Sequence, residues 1–156
     1  MLFMALENRE EDAMKVSDVM TREPETLPPT ATCGEAATLM KQEDCGSIPI
    51  VDDGRLIGIV TDRDIVLRAV AAGKDPKTTP VLAVMSADPV TVSPDSETED
   101  ASRLMAERQI RRIPVVRDGR LEGLIVIGQL ARRGDEGAAL KEISEPLSNS
   151  GSHGRG

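Results

Sequence analysis

The sequence predicts an α/β (α+β) protein of two tandem β-α-β-β-α units, packed sheet to sheet about an approximate two-fold axis. Three observations predict it. Shifted by 65 residues without gaps, the stretch beginning at Val16 matches the one beginning at Val81 at 17 of 49 positions, where ordinary composition gives about 3. Each copy carries a nearly unbroken apolar run, Ile48-Pro49-Ile50-Val51 and Ile113-Pro114-Val115-Val116, and such strands need cover on both faces. A unit of roughly 50 residues cannot bury an adequate core alone, so the two copies must share their cover and leave clefts where they meet.

The elements follow in order. Residues 1–14 form a charged, aperiodic leader that reads as flexible, with Met14 as an alternative start just before the patterned region. The first unit spans 15–73. A short apolar helical turn from Val16 to Met20 ends at Pro24, and Glu25-Thr26-Leu27 reads as a brief strand. Thr32-x-x-Glu35 has the spacing of a capping box, in which each residue's side chain bonds the other's backbone N–H. It opens a helix whose apolar residues Ala36, Ala37, Leu39 and Met40 recur at helical spacing. Residues 47–51 form an apolar strand, Asp53-Gly54 a hairpin turn, and 56–60 the partner strand. A second helix is expected over 62–72, ended by Gly73.

The linker 74–80 leads to the second unit, 81–143. There Ser96-x-x-Glu99 is the expected cap, and strands at 113–116 and 121–127 flank Asp118-Gly119. The last helix, around Gln129, meets Gly134 early, and a short helix over 138–143 is expected to finish the unit. Residues 144–156 read as a disordered tail.

Composition excludes several functions. The net charge is −8, and no basic stripe suits a nucleic acid. One Phe and no Tyr or Trp leave no base-stacking platform. The single His153 lies in the Gly/Ser-rich tail, so neither His-based catalysis nor a metal site is supported. Cys33 and Cys45 match no metal or redox spacing and read as small, partly buried thiols, with a disulfide or regulatory thiol pair as the alternative. No apolar run approaches the ~18 residues of a membrane span, so no membrane insertion is expected and cytoplasm is the expected compartment.

The duplicated unit resembles a CBS domain, and two in tandem resemble the CBS pair, or Bateman module. The residues that carry the likeness are Val-Met at 19–20 and 84–85, the Ile-Pro strands, Asp-Gly-Arg-Leu before Gly58 and Gly123, and Gly58-Ile59-Val60-Thr61-Asp62-Arg63-Asp64. The resemblance covers about residues 15–133. The resemblance implies a regulatory module without catalytic activity. It implies an adenine nucleotide of the AMP, ADP or ATP class, with or without Mg2+, as regulatory ligand rather than obligatory cofactor. It also implies a homodimer and a separate regulated protein as partner, since no catalytic domain is attached.

Thr61 and Asp64 match the family's ribose-binding positions. A carboxylate can accept both hydroxyls of a cis-diol through charge-assisted bonds, and the helix start between them offers backbone N–H groups to an anion. Thr-x-x-Asp is equally close to a capping box, so a plain helix cap is the competing reading. In the second copy Val126-Ile127-Gly128-Gln129 replaces the pattern, with neither hydroxyl nor carboxylate. One nucleotide site per chain is therefore expected.

The resemblance also gives Arg111 and Arg112, before the second Ile-Pro strand, to the phosphates. Ser47 holds that place in the first copy, and Arg63 is a weaker phosphate candidate. Thr26, Leu27, Ile48, Pro49, Ile59 and Val60 are expected along the adenine, with core packing as the plainer role of their apolar side chains. The alternative function is a ligand-independent dimerisation module with a vestigial cleft.

Overall fold

The computed structural model describes residues 13–131. It is a mixed helix and antiparallel-sheet protein. The elements are α1 (Val16–Val19), β1 (Thr21–Arg22), α2 (Cys33–Glu43), β2 (Ser47–Asp52), β3 (Arg55–Thr61), α3 (Asp62–Ile65), α4 (Thr98–Arg108), β4 (Arg112–Arg117), β5 (Arg120–Val126) and α5 (Ile127–Ala131). A π-helical segment, Val66–Val70, continues α3, and a 3-10 turn spans Val81–Ala83.

Two compact units are present, and neither is a contiguous copy of the repeat. One holds Glu23–Thr91 and Val116–Glu122. The described part of the other holds residues 13–22, Val92–Val115 and 123–131. Each copy's opening segment thus belongs to the unit built mainly from the other copy.

In the first unit β2 and β3 form an antiparallel hairpin with Ser47 opposite Thr61, Ile48 opposite Val60 and Pro49 opposite Ile59. A bulge between Ile50 and Val51 shifts the register toward the turn. Asp53 (φ 50°) and Gly54 (φ 80°) supply the left-handed backbone that the tight turn requires. The tip of the other hairpin joins here: Leu56 N donates to Gly119 O at 3.0 Å and Leu121 N to Gly54 O at 3.1 Å. The core is aliphatic, as the lack of aromatics requires. Cys33, Ala36 and Met40 of α2 meet Ile48, Ile50 and Val60 of the hairpin, together with Ile65 and Ala69. Val81 and Val84, from the opening of the second copy, are fully buried in the same cluster. Burying a valine stabilises by about 1.5–3 kcal/mol, which helps fix the swapped segment.

In the second unit β1 pairs with β5, Thr21 opposite Leu124 and Arg22 opposite Gly123. Val16, Ala101, Met105, Ile113, Val115 and Ile125 are fully buried there.

The structure departs from the sequence reading in four places. Glu25-Thr26-Leu27 is not a strand. Leu27 alone bridges Ile50, its N donating to Pro49 O at 3.1 Å and its O accepting from Val51 N at 2.9 Å. The extra strand is instead β1, whose pairing partner is too distant in sequence to be inferred locally. The helix expected over 62–72 keeps α geometry only to Ile65, then widens, with Ala71 N donating to Val66 O at 2.8 Å. The cap of α4 is Glu97, without a side-chain bond, and not Ser96. Ser96 Oγ accepts from Ser93 N at 3.3 Å in the preceding turn. By contrast, the Thr32 and Glu35 box forms with both bonds at 3.1 Å. The linker is bound to the same helix start, Cys33 N donating to Thr79 O and Gly34 N to Pro76 O, each at 2.9 Å. The leader over 1–12, the short helix expected over 138–143 and the tail lie outside the described residues.

Candidate functional site

The β2–β3 pairing carries most of the sequence candidates to one end of the hairpin. Ser47 and Thr61 face each other across the last rung, followed by Ile48 with Val60 and Pro49 with Ile59. Leu27 joins through Pro49 O. Where β3 runs into α3, Thr61 and Asp64 make the reciprocal cap: Asp64 N donates to Thr61 Oγ1 at 3.0 Å, and Thr61 N donates to Asp64 Oδ2 at 3.0 Å. The capping geometry is therefore real, and it uses one oxygen of the carboxylate.

The other oxygen faces a different group. Asp64 is 8% exposed. Its Oδ1 accepts from Ser86 Oγ at 3.5 Å and lies 3.9 Å from Arg68 Nη1. The same arginine nitrogen donates to Val84 O at 3.1 Å and Met85 O at 3.3 Å. Ser86 is held in turn by a backbone pair with Ile59, its N donating at 2.9 Å and its O accepting at 3.0 Å. Segment 85–86 passes so close over β3 that a Cβ on Gly58 would meet Met85 Sδ at 2.7 Å and Ser86 O at 2.8 Å. Only glycine fits there.

Ser86 and Arg68 escaped the sequence reading. A signal existed for each: a hydroxyl follows Met in both copies, Thr21 and Ser86, and Arg68 stands four residues after Asp64, the spacing of a helical ion pair.

The helix mouth is not the open anion site that the sequence suggests. Asp62 N donates to Gly46 O at 3.0 Å, Arg63 N to Asp62 Oδ1 at 2.8 Å, and Asp64 N to Thr61 Oγ1. With those three donors taken, a phosphate at this corner needs side-chain cations. Arg63 is exposed beside the corner. Arg111 and Arg112 belong to the other compact unit, where Arg111 O accepts from Ile127 N at 2.9 Å.

Ile48 and Val60 are 2% and 0% exposed within the core cluster, so their side chains are packing groups. Pro49 is buried as well; Thr26, Leu27, Ser47 and Ile59 remain partly exposed. Thr26 and Leu27 also line an open groove of about 700 Å3 whose far wall is α2, through Thr38, Leu39 and Gln42. Thr61 and Asp64 do not line that groove.

The second copy answers in amide chemistry. Gln129 Oε1 accepts from Val126 N at 2.9 Å and Gln129 Nε2 donates to Thr21 Oγ1 at 2.6 Å. The amide reproduces half of the cap and contacts the matching hydroxyl, with no charge. Among the described residues no group of three or more His, Cys, Asp or Glu side chains is placed to hold a metal ion. No helix among them is long and apolar enough to cross a membrane.

Architecture and site define a class: a tandem pair of β-α-β-β-α repeats in which each opening segment completes the unit of the other copy. The CBS-domain family model matches residues 16–70 and 81–135, and the chain belongs to that family. It carries a CBS pair, an arrangement typical of regulatory modules. It is 47% identical over 133 residues to the CBS domain-containing protein YhcV of Bacillus subtilis, covering 83% of this chain and 94% of that protein. Hypoxic Response Protein I, solved with two coordinated zinc ions, has a TM-score of 0.69 at 33% identity, covering 76% of this chain and 98% of that one. CBSX2, solved in complex with AMP, has a TM-score of 0.67 at 29% identity, covering 77% and 95%.

Proposed function

We propose that this CBS pair is a non-catalytic regulatory module that binds an adenine nucleotide of the AMP, ADP or ATP class at the Thr61 and Asp64 corner and signals to a partner protein. The observation that carries this reading is the carboxylate of Asp64. It is nearly buried, one oxygen serves the cap, and its remaining contacts are long, at 3.5 Å and 3.9 Å. A carboxylate has about four acceptor positions, and the cap and Ser86 use two. A ribose cis-diol needs two. AMP in CBSX2 supports the ligand class. Gln129, whose amide is engaged at both ends, supports one site per chain.

The test is a thermal-shift panel of AMP, ADP and ATP, with and without Mg2+, repeated on Asp64→Asn and Arg63→Ala. A ligand at a hundred times its Kd stabilises by about 2.7 kcal/mol. The expected result is a nucleotide-dependent rise that Asp64→Asn removes and Arg63→Ala weakens. No rise with any nucleotide sinks the reading.

The second reading, an interaction module that needs no ligand, is favoured by a specific surface. Val66, Leu67, Val70 and Leu82 are 54%, 48%, 59% and 55% exposed, a concentration of large apolar side chains on one helical segment and the turn at 81–83. That surface also supports the homodimer. Light scattering of wild type and Val70→Asp decides: a dimer that the substitution splits is expected, and a monomeric wild type overturns it.

A further inference from the structure

The geometry points to a latch of Arg68, Asp64 and Ser86 through which occupancy of the Asp64 carboxylate is passed to residues 84–86, the stretch that opens the second repeat. The latch stands on the contacts of these three side chains; its trigger rests on the nucleotide-binding reading above.

Arg68 Nη1 is shared among three oxygens. Two are the carbonyls of Val84 and Met85 at 3.1 and 3.3 Å, and the third is Asp64 Oδ1 at 3.9 Å. Ser86 reaches the same Oδ1 through its hydroxyl at 3.5 Å while its backbone is paired with Ile59. The carboxylate therefore touches the segment directly through Ser86 and indirectly through the arginine. These bonds tie α3 and its π-helical continuation to 84–86. The chain from this segment leaves the unit at Thr91, and Val92 begins its next stretch in the other one.

Acceptor capacity gives the direction of the effect. Thr61 N and Ser86 Oγ occupy two of the roughly four acceptor positions of Asp64. A cis-diol fills the other two and leaves none for Arg68. The guanidinium then serves only the carbonyls of Val84 and Met85, and those bonds tighten. The π-helical stretch that carries Arg68 suits such a role, since these wide turns recur at functional sites. Its side chain is 54% exposed, so it can shift without repacking the core.

Amide hydrogen exchange at Met85 and Ser86 reads the latch, because both N–H groups are bonded, to Val81 O at 2.8 Å and Ile59 O at 2.9 Å. Without nucleotide, Arg68→Met should speed exchange there by about threefold or more, Asp64→Asn should slow it because the guanidinium is released to the two carbonyls, and the double variant should exchange like Arg68→Met alone. Additive effects overturn the latch. With AMP, wild type should slow exchange at both amides, and Arg68→Met should bind AMP without the slowing. Equal slowing in both overturns the trigger. Should Arg68→Met fail to fold, Arg68→Lys keeps the charge but places its donors on one nitrogen without the planar fork, and is expected to lose part of the effect. Non-additivity without any AMP binding leaves the latch standing and removes the nucleotide reading.

Discussion

Gln129 donates from Nε2 to Thr21 Oγ1 at 2.6 Å, in the place where Asp64 meets Ser86 one repeat earlier. The same architectural contact is made twice, once with a charged acceptor and once with a neutral amide. A helix start here can be closed either way, so the carboxylate in the first copy is not demanded by the fold.

That asymmetry can be reversed. Val126→Thr with Gln129→Asp restores hydroxyl and carboxylate in the second copy. Calorimetric titration with AMP should then give two sites per chain in place of one. A stoichiometry still at one would mean that these two positions do not define the site.

The two roles of Asp64 separate by substitution. Asp64→Ala removes a capping acceptor and should cost about 1 kcal/mol in urea unfolding, with loss of nucleotide binding. Asp64→Asn retains an acceptor oxygen for Thr61 N, so stability should stay within about 0.5 kcal/mol of wild type while binding is lost. Thr61→Ser should preserve both.

Two glycines should fail for different reasons. Gly73 has φ 76° and open space around it; Gly73→Ala should cost about 1 kcal/mol, and Gly73→Asn less, because asparagine tolerates the left-handed region. Gly58→Ala drives a methyl into the backbone oxygen of Ser86 and should cost more than about 2 kcal/mol. Thermal unfolding of the three variants ranks them. If Gly58→Ala is as stable as Gly73→Asn, the close crossing of segment 85–86 is wrong.

Cysteine chemistry should be unequal. Both thiols are free, Cys33 fully buried and Cys45 half-buried. An aromatic disulfide reagent should therefore modify Cys45 readily and Cys33 only at the rate of unfolding. Burial raises the Cys33 thiol above its ordinary value of 9.0, against smaller opposing effects of its backbone hydrogen bond and Lys74. The thiol remains protonated in the fold at a pH where the unfolded chain ionises. Its contribution to stability is thus intact below pH 9.0 and declines as pH rises past it. Urea midpoints for wild type should fall between about pH 8 and pH 10 more steeply than for Cys33→Ala.

The sequence repeat disclosed the unit, the Ile-Pro hairpins and the Thr32 cap because each is written in neighbouring residues. Thr61 and Asp64 were legible for the same reason. What stayed hidden depends on chain segments brought together from far apart. β1 is two residues whose partners are Leu124 and Gly123, and Ser86 reaches Asp64 across 22 positions. The widening of the helix after Ile65 was hidden for another reason: apolar spacing counts faces, and Val66, Leu67 and Val70 are apolar yet exposed.

The exchange of opening segments also sets an order in time. Thr21 must wait for a partner 108 residues further along the chain. At the usual ~5–20 residues per second of synthesis, that is a delay of about 5 to 20 seconds. During it Val16 and Met20, destined for the interior, have nothing to close against on their own ribosome. Nascent chains on one message would carry the same unsatisfied segment, which makes early release or stalling before residue 124 the point at which two molecules are most prone to trade arms.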